Sequence, residues 1–92
     1  MAKHWYRIDF HGGAEERMLC GSSPLDLDQL TKELASSAMI RLDDLFYRDN
    51  QHRYMSWSEW DPRMQSTALI HCECITTVMP FNGDPQDSQA AS

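Results

Sequence analysis

The sequence predicts a small α+β domain: a bent antiparallel sheet, or an SH3- or Sm-like barrel of about five to six short strands, with one helix at about 26–36. Three stretches carry that expectation. His4 to Phe10 alternates in polarity and runs into Gly12-Gly13, Leu25 to Ala35 repeats leucine at helical spacing, and Ser66 to Phe81 is a nearly unbroken apolar and β-branched run. Strands at both ends with one helical pattern between them suit helix packed on sheet.

In the first stretch Tyr6, Ile8 and Phe10 fall on one side of an extended chain, with Trp5, Arg7 and Asp9 on the other, the period of a half-buried strand. Gly12 and Gly13 are free to take positive φ, which a tight hairpin requires. Arg17 to Cys20 is the return strand, and Gly21-Ser22-Ser23-Pro24 breaks it. Asp26 suits an N-cap with Gln29 at the spacing of a capping box, and Leu25 and Leu30 stand where a hydrophobic staple would join them. Leu27, Leu30 and Leu34 form a single apolar stripe, so the helix is expected to lie across a sheet and to end at Ser36 and Ser37.

Met39 to Tyr47 resumes strand character through Ile40, Leu42 and Leu45. Asp43 and Asp44 are adjacent, so on a regular strand they point to opposite faces and share no site unless the backbone bulges. Asp49-Asn50 reads as a turn, Arg53 to Trp57 as a further short strand, and Trp60-Asp61-Pro62-Arg63 as a loop. In the last stretch Ala68, Ile70 and Cys72 face opposite to Leu69, His71 and Glu73. A break at Cys72 to Cys74 then gives either two short strands joined by a very tight corner or one strand with a bulge at His71 to Cys74, and beyond it Ile75, Thr77 and Met79 alternate with Thr76 and Val78. Pro80 cannot donate to a ladder and closes the strand. Asn82 to Ser92 holds no large apolar residue, so residues 1–81 are expected to form a single domain and 82–92 a disordered C-terminal tail.

Ninety-two residues make one domain that buries only about two-thirds of its unfolded surface, too little to enclose a large cofactor pocket, and no cofactor is expected. Lys plus Arg is 8 against 14 for Asp plus Glu, a net charge of −6. Nucleic-acid binding leaves a basic footprint because affinity comes from neutralising phosphates, and here the balance is acidic. Arg41, Arg48, Arg53 and Arg63 are the residues from which a local basic patch would be built. No apolar run reaches the roughly 20 residues of a membrane span. The N-terminal MAKHWYRIDF has no apolar core of a secretory signal, and three cysteines, an odd number, suit free thiols in a reducing, cytoplasmic setting.

Two groups of residues invite a chemical reading. Cys20, His71, Cys72 and Cys74 carry ligand types that zinc prefers, yet Cys72-x-Cys74 lacks the usual knuckle spacing, and cysteine also serves as a small buried hydrophobe. The second group is Arg53 to Arg63. Trp57-Ser58-Glu59-Trp60 resembles four residues of the Trp-Ser-x-Trp-Ser signature of cytokine receptors, with Asp61 in place of the final serine. In that family tryptophans and arginines stack in a ladder; from the residues alone, without the family, Arg53 or Arg63 over Trp57 or Trp60 would be a cation–π contact of up to roughly 1 kcal/mol at an exposed site. The tryptophans either fold back as lids over the core or anchor a partner.

No nucleophilic elbow and no His-Glu-x-x-His helix is present, so the expected function is non-catalytic. The leading expectation is a small soluble protein-interaction or accessory module that holds a protein partner or self-associates through Trp57, Trp60, Arg53 and Arg63. The alternatives are an RNA-binding small barrel and a zinc-binding protein using Cys20, His71, Cys72 and Cys74.

Overall fold

The computed structural model of the chain describes residues 3–48, 51, 53–83 and 85. It is a small α+β domain built on a six-stranded antiparallel sheet with one main helix. The strands are β1 (His4–Gly12), β2 (Glu15–Ser23), β3 (Met39–Arg48), β4 (Tyr54–Ser56), β5 (Ala68–His71) and β6 (Ile75–Pro80); the helices are α1 (Leu27–Ser36) and the single turn α2 (Trp57–Trp60). The strand order is β4-β3-β2-β1-β6, and β5 adds to β3.

The hairpin of β1 and β2 pairs His4 with Ser23 through to Gly12 with Glu15, and Gly13 turns it at φ 74°. Without a Cβ, glycine takes that left-handed backbone at little cost. After β2 the chain enters α1 through the expected capping box. The Asp26 carboxylate accepts from the Gln29 N–H at 2.8 Å, and the Gln29 side chain accepts from the Asp26 N–H at 3.0 Å. Of the expected leucine stripe, Leu30 is buried and Leu34 half-buried, while Leu27 is 45% exposed. The apolar face packed on the core is thus narrower than the spacing suggests: Leu27, in the first turn, instead lines a pocket with Lys3, Trp5 and Phe81. Tyr6 donates its hydroxyl to the Leu25 carbonyl at 2.7 Å and ties β1 to the helix entry.

β3 is two strands in one. Met39 to Leu42 pair with β5, while Phe46 to Arg48 pair with β4, and its other edge meets β2 at Cys20 and Ser22 with a register shift between them. Asp44, at φ 48°, is the residue at which the chain bends, so the condition that would let the two aspartates depart from simple alternation is met by a bulge. The Ser22 hydroxyl and the Lys3 ammonium group, 3.0 Å away, hold the Asp44 carboxyl below the usual carboxylate range.

Of the two readings of the break at His71 to Cys74, a corner or a bulge, the structure has the corner: a 3₁₀ turn over Cys72–Cys74, so Cys72 and Cys74 lie in a turn and not on a strand. Its consequence is closure. β5 stands against β3 and β6 against β1, so a three-residue turn joins a strand on the outer edge of β3 to the last strand of the order, β6, and curls the sheet around one core. Tyr6, Ile8, Leu30, Ile40, Leu42, Leu45 and Ile70 fill that core, each large side chain contributing about 1.5–3 kcal/mol of transfer free energy. In β6 a register shift opposite Asp9 and Phe10 breaks the expected alternation, so Ile75 and Val78 both pack inward while Thr77 and Met79 face out.

Arg53 to Trp57 is only partly strand. The ladder stops at Ser56, which caps a helical turn: its hydroxyl accepts from the Ser58 N–H at 3.3 Å, and the Glu59 carboxylate accepts from the Ser56 N–H at 3.0 Å. The tail expected at 82–92 lies outside the described residues except for Asn82, Gly83 and Pro85.

Candidate partner-binding surface

The sheet has a second face, and its chemistry follows from register. On β1 the residues opposite to the core side are Trp5, Arg7 and Asp9. Cys20 on β2 and Met79 on β6 stand directly beside Arg7, while Phe46 on β3 stands beside Cys20. This row belongs to a second apolar cluster of Trp5, Cys20 and Phe46, with Tyr54 and Phe81 packed against it. Phe46 is its centre, with ring centroids 5.8 Å from Trp5, 5.3 Å from Tyr54 and 5.8 Å from Phe81 in edge or tilted geometry. Such contacts add about 0.5–1.5 kcal/mol per pair beyond burial. The Phe81 N–H donates to the Trp5 carbonyl at 2.8 Å, which fixes that ring at the end of β6.

Beside the cluster runs a groove of about 390 Å³ lined by Arg7, Met18, Cys20, Arg48, Tyr54, Met79, Pro80, Phe81 and Asn82. On the other side of the sheet Leu30 of α1 lies in the core, with Leu34 and, from α2, Trp57 packed against it. Met18 and Met79 are consequently 48% and 52% exposed on the groove. Arg7 is bonded through Nε to the Asp9 carboxylate at 3.2 Å. The Arg48 guanidinium carbon stands 5.8 Å from the centre of the Tyr54 ring. Cys20 lines the groove, where burial pushes its thiol up from the ordinary value of 9.0 to about 11, with Arg7 pulling the other way and Asp9 adding to the rise. A thiol with that pKa stays protonated at neutral pH and is a poor nucleophile.

The residues singled out in the sequence are arranged differently. Trp57 is half-buried against the core, as a lid would be, and its Nε1 is buried without a hydrogen-bond partner among the described residues. Trp60 closes the same helical turn; its side chain lies outside what is described. Arg63 is held by Asp61, which accepts from its Nε at 3.0 Å and its Nη2 at 3.2 Å, and that bonding lowers the Asp61 carboxyl pKa. Arg53 is exposed just before β4. Among the described residues, cation–π contacts place Arg48 on Tyr54 and Lys3 at 6.0 Å from Trp5.

The candidate ligand set is also separated. Cys20 belongs to the outer cluster, whereas Cys72 packs against the inner core and His71 is exposed at the turn. All three cysteines are free thiols. Among the described residues no group of three or more His, Cys, Asp or Glu side chains is placed to hold a metal ion.

The second aromatic face was not singled out in the sequence. Its members, Trp5, Phe46, Tyr54 and Phe81, come from four separate stretches, and only strand register assembles them. The signal available was the polar-side alternation on β1 itself, where a tryptophan occupies a position that a half-buried strand would give to solvent.

Fold and surface together define a small α+β domain with a closed core and a partly uncovered apolar outer face. No family model, curated protein or solved structure matches the chain. Among the described residues no helix is long and apolar enough to cross a membrane.

Proposed function

We propose that this chain is a small, soluble, non-catalytic interaction module that holds a protein partner on the outer face of its sheet. The observation that carries the reading is the groove flanked by Met18 and Met79, each about half exposed, beside an aromatic cluster on the outer face of the sheet. Apolar side chains gathered beside aromatic and arginine residues are the composition of interface centres, and methionine adapts to irregular partners. The free, buried Cys20 suits a reducing compartment such as the cytoplasm. The loop from Arg53 to Arg63 supports this surface through Tyr54, with Trp57 serving as a core lid.

A photo-crosslinking residue placed at Met18 or Met79 tests the reading in cells. Discrete protein adducts are expected from both positions and not from Lys32, on the helix. Equal labelling from all three positions, or none from any, would remove its support. The RNA-binding alternative has less behind it, since the aromatic rings pack edgewise on one another and Trp5 and Phe46 are buried, so they offer no open stacking platform. Filter binding of single-stranded RNA across a salt series separates the two.

A further inference from the structure

Resting on the docking reading above, we propose that the groove on the outer face receives a short acidic segment of a partner protein, with apolar side chains on the methionine and aromatic floor and a carboxylate at the arginines. Charge complementarity carries the choice. The chain has a net charge of −6, yet among the described residues the groove lining contains Arg7 and Arg48 and no carboxylate. Most other cations of the fold are committed locally: Lys3 to Asp44, Arg17 to Glu15, Arg41 to Asp43 and Arg63 to Asp61. Arg48 differs, because it rests on the Tyr54 ring and has no carboxylate partner among the described residues. A planar guanidinium stacked on an aromatic ring keeps its edge donors free for a carboxylate.

Arg7 shows the same chemistry already at work, since Asp9 occupies its Nε at 3.2 Å. Its terminal amino groups are the ones that face an incoming acid. The presence of Asp9 also selects the ligand, because a singly charged carboxylate meets less repulsion beside it than a doubly charged phosphate does. The floor fixes the rest of the recognition. Met18, Met79, Tyr54, Phe81 and Pro80 give an apolar bed, so a purely charged segment would leave most of the groove unfilled. A volume of about 390 Å³ accommodates a few side chains of such a segment.

The test is selection of random heptapeptides displayed on phage against the immobilised full chain, followed by titration of the enriched peptides. Enriched sequences are expected to place Asp or Glu beside a large apolar residue. Their affinity is expected to fall about 10- to 100-fold in Arg48→Glu, the loss of one charge-assisted contact, and to weaken as salt rises. Met79→Ala, which leaves the charges in place, should weaken the same peptides without changing their salt dependence. Amide NMR spectra of each variant establish that the fold is retained.

Enriched peptides without acidic residues, or acidic peptides indifferent to Arg48→Glu, overturn the inference while leaving the docking reading intact. Failure to enrich any peptide overturns it as well. So does light scattering that finds a dimer dissociated by Arg48→Glu, which would make a second copy the occupant. Acidic peptides that bind as expected, with no crosslinks from Met18 or Met79 in cells, would uphold the groove chemistry and count against the cellular role proposed above.

Discussion

A Cβ added at Gly21 would stand 2.5 Å from the Asp43 carbonyl oxygen and 2.7 Å from Cγ of Leu42. Neither neighbour can give way, since one is backbone at the bend of β3 and the other is a buried core side chain. Gly21→Ala is therefore expected to cost at least about 1–3 kcal/mol through overpacking, read as a lower midpoint in urea with an unchanged slope. Cys20, its neighbour, makes a second point at the same scale. The folded state raises its thiol to about 11 from 9.0, so between those values the unfolded chain has lost the proton and the folded chain has kept it. The unfolded state then binds fewer protons, and stability falls as pH rises. The contribution is fully present below about pH 9 and is lost by about pH 11, on the order of 2 kcal/mol. Cys20→Ala should flatten that alkaline limb in denaturation curves measured across pH, and an identical limb in wild type and variant would show that Cys20 is not its source.

The helical turn α2 exists because Ser56 and Glu59 cap it reciprocally. Four residues hold too few internal hydrogen bonds to be stable alone, so the cap and the packing of Trp57 on the core must supply the rest. Ser56→Ala is expected to destabilise the fold by about 0.5–2 kcal/mol. In a variant that retains Trp57 as its sole tryptophan, the same substitution should shift emission to longer wavelength as the lid loosens, whereas unchanged emission would mean packing alone holds the turn. The Ser-x-x-Glu spacing is the same signature that located α1 from Asp26 and Gln29, yet the strand-like Arg53-Tyr54-Met55 before it masks the signal. Elements governed by their own residues were legible: the β1 hairpin through Gly13, α1 through its cap, and the corner at Cys72–Cys74 through the break in alternation. What depends on pairing was not. The bulge at Asp44, the shift in β6 that turns Val78 inward, and the grouping of Arg7, Cys20 and Met79 arise from register, which a single sequence does not state.

At the scale of the molecule, closure decides which parts are firm. β1 is paired on both edges, by β2 and β6, and β2 likewise by β1 and β3. β4 joins the sheet at only three positions and ends the strand order. Local opening tracks the number of bonds and buried contacts that must be lost together, so amide hydrogen exchange is expected to be slowest in β1, β2 and the paired parts of β3 and fastest in β4 and α2. That gradient matters for the groove because Tyr54, one of its walls, belongs to β4. A partner seated there would bind the closed arrangement and not the opened one, and so would slow β4 exchange in proportion to its occupancy while leaving the β1–β2 hairpin nearly unchanged. Exchange followed by mass spectrometry with and without an enriched acidic peptide measures this directly. Protection confined to β4, the Met18 region of β2 and the end of β6 is the expected pattern. Uniform protection across the chain would mean that the ligand stabilises the whole fold from a different surface.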